Sequence, residues 1–111
     1  MDKSSCTSIR ESVLRKIEDN LPEIRERFGI DTLGVFGSVS RGEDGPDSDV
    51  DILYLFNPGR GGMHDMSMLK DYLEVLFGRE VDLVSIKYIS PFIREYVIAD
   101  AVFYGDAVVS A

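Results

Sequence analysis

The chain has no apolar run near the roughly 20 residues that a bilayer-spanning helix requires. Its first residues, Met1-Asp2-Lys3-Ser4-Ser5, are polar and mixed in charge, without the apolar stretch of a signal peptide. Cysteine is nearly absent. Cys6 by itself can form neither an internal disulfide nor a zinc cluster, so a reducing cytoplasm is the expected location, with Cys6 a bystander near the N-terminus. Basic charge is also scarce: 12 Lys and Arg against 20 Asp and Glu give a net charge of -8. That excludes extended non-specific nucleic-acid binding, which needs a basic surface against phosphate, but not one nucleotide held through a metal ion. The same imbalance suits a basic protein partner, and it also serves plain solubility. His64 is the only histidine, and no nucleophile motif accompanies it, so a solvated side chain is its expected role. Neither a P-loop Gly-Lys-Ser/Thr nor a Gly-x-Gly-x-x-Gly fingerprint occurs, and the two nucleotide folds they mark find no support.

What is present is ordinary for a globular chain: 44% hydrophobic and 29% charged residues over 111 positions, which predicts one domain spanning 1–111. Ser8 and Glu11 have the spacing of a capping box. Ile9, Val13, Ile17, Leu21, Ile24 and Phe28 then recur as one helical stripe, with a kink or restart expected at Pro22 and a stop at Gly29. Thr32–Phe36 reads as a first strand, residues 38–42 as a short helix, and 43–48 as loop. Val50–Phe56 is a second strand, followed by a Pro- and Gly-rich break at 57–62. Met63–Phe77 reads as a helix with Met66, Leu69, Leu73 and Leu76 on one face, and Val81–Ser85 as a third strand. Ser90-Pro91 opens a last helix carrying Ile93, Tyr96, Val97 and Ala101, and Val102–Tyr104 reads as a final strand. Helices and strands alternating in this order predict a small α/β (α+β) layer fold.

Function is concentrated in residues 36–52. Gly37-Ser38 closes the first strand, where free backbone donors at a turn and a serine hydroxyl favour phosphate oxygens. Asp49 and Asp51 stand two apart at the second apolar run, and positions i and i+2 of a strand share a face. Two carboxylates there repel unless a cation neutralises them, so metal ligation is the economical explanation; solvent-facing charges on an edge strand are the alternative. An EF-hand loop starting at Asp47 fails, since it would place Ile52 where glycine is needed and Pro58 where glutamate is needed. Asp82 is the one charge inside the third strand. If that strand pairs with the second, Asp82 completes a carboxylate triad able to hold two Mg²⁺ ions about 3.5–4 Å apart; otherwise it is a strand-end surface charge. Arg41 is a candidate phosphate contact or, equally, a partner of Glu43 or Asp47 that fixes the loop.

Gly37-Ser38, Arg41-Gly42, Asp49-x-Asp51 and Asp82 together resemble the polymerase-beta type of nucleotidyltransferase, in particular its minimal members, which consist of the catalytic palm alone. The resemblance implies a small mixed sheet flanked by helices. Asp49, Asp51 and Asp82 would be metal ligands and catalytic residues, with Gly37, Ser38 and Arg41 at the phosphates. It implies two Mg²⁺ ions, ATP as substrate, and an antitoxin role in which AMP passes to a tyrosine of a HEPN-domain toxin. Acceptor-binding domains found in other branches are missing here, which favours an acceptor that brings its own surface. A non-catalytic antitoxin acting by occlusion, and a homodimeric small-molecule nucleotidyltransferase, remain as alternatives.

Overall fold

The computed structural model describes residues 8–105; Cys6 lies outside them. Eight elements follow one another: α1 (Arg10–Phe28), β1 (Ile30–Phe36), α2 (Gly37–Arg41), β2 (Val50–Phe56), α3 (Met63–Phe77), β3 (Val81–Ser85), α4 (Pro91–Asp100) and β4 (Val102–Gly105). The strands form one mixed sheet in the order β3-β2-β1-β4, with β1 antiparallel to β2 and β4, and β2 parallel to β3. The predicted mixed sheet flanked by helices is therefore present.

The α1 stripe does what its spacing predicts. Val13, Ile17, Ile24 and Phe28 are buried, and Ile9 and Leu21 pack on the edge of the same cluster. Leu69, Leu73 and Phe77 of α3 and Val50 and Ile52 of β2 complete it. Two details differ from expectation at α1. The helix runs unbroken through Pro22 instead of restarting, because an exposed face can lose the bond that Pro22 cannot donate while the buried stripe holds both halves on the sheet. Ser8 is not a capping-box N-cap, a position Ile9 takes; its oxygen still accepts from the Arg10 N–H, and its hydroxyl donates to Asp44 far along the chain.

β1 starts two residues earlier than the apolar run suggests. Ile30 pairs with Phe56 and Thr32 with Leu55, so Asp31 is an extra residue that resets the alternation. Ile30, Leu33 and Val35 thereby all enter the core. In α4, Ser90 caps the helix by accepting from the Phe92 N–H, as predicted, but Tyr96 faces solvent and Ala101 lies past the helix end; the Ile93 side chain is outside the described residues. Here a ten-residue helix packs on α2 and β1 through only part of its surface.

Tyr104 of β4 donates to Glu18 of α1 at 2.9 Å and so ties the two ends of the fold together. Burial first, then that bond to a carboxylate, pushes the Tyr104 phenol up to about 12. Since the folded value exceeds the unfolded one of about 10, the contribution to stability is whole below pH 10 and is lost as pH rises toward 12. Tyr104→Phe is expected to lower unfolding free energy by about 1 kcal/mol in urea at pH 7. Unchanged stability would mean that the bond contributes nothing net.

Candidate active site

The register of the sheet assembles the site. On β2, Asp51 points opposite to Val50 and Ile52, away from the α1–α3 core. Directly across from it stand Phe36 on β1 and Asp82 on β3. Because β2 lies inside the sheet, Asp51 cannot be the edge-strand surface charge of the alternative explanation. Asp49 sits one residue ahead of β2 and is exposed, as is Asp82 on the edge strand β3. Half-buried Asp51 feels both: burial first, then the charges of Asp82 and Asp49, push its carboxyl above the ordinary value, and Arg41 only partly offsets this.

Gly37 closes on the same carboxylate. It has φ +77°, and a Cβ at this position would collide with the Asp51 Oδ2 atom, so the turn after β1 lies directly against the acid. Ser38 follows in the first turn of α2, half-buried. Buried Ser40 ties that turn to itself by donating to the Gly37 carbonyl at 2.8 Å, and Arg10 of α1 donates to the Ser40 carbonyl at 2.8 Å. Arg41 settles on carboxylates: its guanidinium lies 3.0 Å from Glu43 and 3.5 Å from Asp100 of α4, and Asp47 is not among its partners. Beside it, Phe36, Gly37, Arg41, Tyr96, Val97 and Asp100 enclose a cavity of about 230 Å³. A larger cavity, about 630 Å³, lies at the opposite ends of β2 and β3 around Tyr54, Phe56 and Arg60, remote from Asp49, Asp51 and Asp82. His64 is exposed and outside the site.

Sequence reasoning missed the groups that hold the loop between α2 and β2. Asp44 takes the Ser8 hydroxyl and the Ile9 N–H. Burial opposes its charge, yet those donors and the nearby Arg79 hold its carboxyl below the ordinary value. Arg79, in the turn before β3, donates to the carbonyls of Ser48 at 2.9 Å and Gly45 at 3.2 Å. No local pattern announces partners more than 30 residues apart. Arg79 thus fixes the approach to Asp49 from outside the site. Arg79→Ala is expected to lower nucleotidyl transfer about 10-fold with little change in ATP affinity, measured by initial rates against ATP concentration; parent rates would deny Arg79 a positioning role.

Among the described residues, no three acidic, histidine or cysteine side chains converge into a ready metal cage. The donors that the sheet brings together are nevertheless all carboxylate oxygens, with Asp51 under repulsion that a cation would relieve, and this chemistry fits Mg²⁺.

Comparison with known proteins gives the family. A family model described as nucleotidyltransferase domain matches residues 14–105. The chain belongs to this family. Among characterised relatives, the protein adenylyltransferase MntA of Thermococcus cleftensis is 43% identical over 81 residues, covering 73% of this chain and 81% of the relative. A solved structure described as a minimal nucleotidyltransferase superposes with a TM-score of 0.70 at 40% identity, over 82% of this chain and 92% of that one. The MNT antitoxin bound to a tri-AMPylated HEPN toxin of Shewanella oneidensis shares the fold, with a TM-score of 0.53 at 20% identity over 88% and 71% of the two chains. The chain is thus a nucleotidyltransferase.

Proposed function

We propose that the protein transfers AMP from ATP to a hydroxyl, a tyrosine in the first instance, of a HEPN-domain toxin, and acts as its antitoxin. The observation that carries this reading is the single cluster formed by Gly37 and the Asp51–Asp82 cross-strand pair, with Asp49 beside it. The relationship to MntA and the shared fold with an MNT antitoxin support the acceptor class.

The phosphates of ATP rest on the Gly37-Ser38 turn, where backbone donors and the Ser38 hydroxyl favour anions. Asp49, Asp51 and Asp82 would hold two Mg²⁺ ions, which when bound neutralise phosphate charge and acidify the acceptor hydroxyl. The acceptor oxygen forms a bond to the α-phosphorus as the bond to the β-phosphate oxygen breaks. The hydroxyl proton leaves to a carboxylate or water, and pyrophosphate departs. Arg41, held by Glu43 and Asp100, keeps α2 and α4 in place around the turn. Catalysis in such a site is mostly positioning and charge stabilisation.

The test is label transfer to the purified HEPN-domain protein of the same host, with Mg²⁺ and ATP labelled at either the α- or the γ-phosphate. Label from α alone, abolished by Asp49→Asn, is the expected result. Label from γ would make the protein a kinase. A stable complex without label from either position would leave an antitoxin that works by occlusion.

A further inference from the structure

The side of α4 that no other described residue covers carries large aromatics. Phe92 is 88% and Tyr96 78% exposed, and at i and i+4 they stand one above the other on the helix. Tyr88, in the turn that leads into α4, is 78% exposed but lines the cavity at the far ends of β2 and β3, so it lies outside this pair. Aromatic side chains cover about 150–250 Å² each, so Phe92 and Tyr96 supply roughly half of the 800 Å² that one partner contributes to a stable interface. Tyr and other aromatics are also the residues that carry binding energy when an interface forms.

We propose that this face of α4 is the docking surface for the protein acceptor, an inference that rests on the protein-directed transfer proposed above. Tyr96 joins the two: it is part of the exposed pair and also walls the cavity beside Gly37. A partner seated on Phe92 and Tyr96 is therefore already at the margin of the carboxylates, and a hydroxyl on its surface reaches them without a long excursion.

Charge selects the partner. α4 itself is nearly neutral, with Arg94 and Glu95 opposed and Asp100 taken up by Arg41. The strand and loop ends around the carboxylate site are acidic and exposed at Asp47, Asp49, Glu80 and Asp82, with Glu43 paired to Arg41. The surface that fits is apolar where it meets α4 and basic where it meets this rim. A second copy of a chain with a net charge of -8 would bring like rims together across a two-fold axis. An anionic membrane would meet the same repulsion.

The experiment compares Phe92→Ser with Val75→Ser, which removes an equally exposed apolar side chain (85%) from α3. Binding to the HEPN-domain protein of the same host is measured by calorimetry, self-association by sedimentation, and transfer with α-labelled ATP. Phe92→Ser is expected to weaken binding about 30-fold and raise KM for the acceptor similarly, with transfer restored at saturating acceptor. Val75→Ser should behave as the parent in all three, and both variants should melt as the parent does. Parent-like affinity and KM for Phe92→Ser would overturn the docking surface, as would the absence of any complex with the parent chain. So would a change confined to self-association, which would make the face a homodimer contact. Binding that weakens as expected in a complex where even the parent transfers no label would keep the docking surface and sink the transfer reaction.

Discussion

Asp51→Asn is expected to abolish AMP transfer and, at the same time, to raise the melting temperature of the metal-free protein. The two effects have one cause. Asp51 is the acid that the fold presses between Gly37 and Asp82, and half-burial with two like charges pushes its carboxyl above the ordinary value. A carboxyl whose folded value is raised favours the fold fully below its unfolded value of about 4. That contribution is lost as pH rises through the folded value, so at neutral pH the ionised group weakens the fold. Asparagine keeps the shape and removes the charge. Transfer should fall about 10³-fold, the scale on which single electrostatic groups act in such sites. The melting temperature without Mg²⁺ should rise by about 2–5 °C, since each kcal/mol is worth about 4–8 °C in a domain near this size. Added Mg²⁺ should stabilise the parent and leave the variant unmoved. A variant that keeps its transfer rate would remove Asp51 from catalysis, and one that melts lower than the parent would contradict the stored repulsion.

Gly37→Ala should cost both stability and activity, and a second glycine separates the two losses. Gly37 and Gly42 bracket α2 with nearly equal positive φ, 77° and 73°. Alanine in that left-handed region costs about 1–2 kcal/mol at either position. Only at Gly37 does the added methyl meet the Asp51 carboxylate; at Gly42 the nearest atom is the Arg10 Cδ at 3.9 Å. Both variants should therefore melt about 4–16 °C lower. Transfer should drop about 10²-fold for Gly37→Ala, because Asp51 is displaced from where it would hold Mg²⁺ against the phosphates, and stay near parent rates for Gly42→Ala. Equal transfer in the two variants would separate Gly37 from the chemistry. Differential scanning fluorimetry and initial rates at saturating ATP read both outcomes.

The sequence by itself determined the elements and the motif. The 3.6-residue stripe of α1 and the α3 face were legible because each repeats a period that burial enforces, and β2 and β3 as short apolar runs bounded by turns. Gly37-Ser38 and Asp49-x-Asp51 stood out because charge and glycine beside apolar strands are costly without a use. The bulge at Asp31 stayed hidden, since an extra residue only appears once the partner strand supplies the register. Spacing alone left open which side of the last helix is covered, and that depends on what packs there: Tyr96 faces solvent. Sequence left Arg41 divided between phosphate and carboxylate; Asp100, from a helix 50 residues on, became one of its partners. The tertiary structure also decided that β2 and β3 run side by side, which turns Asp51 and Asp82 into a facing pair. Periodicity reports which face of an element is buried, whereas strand order and loop anchoring by Arg79 and Asp44 come from contacts between distant parts of the chain. Those contacts carry no local signature, because the entropy of closing such loops is repaid only when the whole sheet is formed.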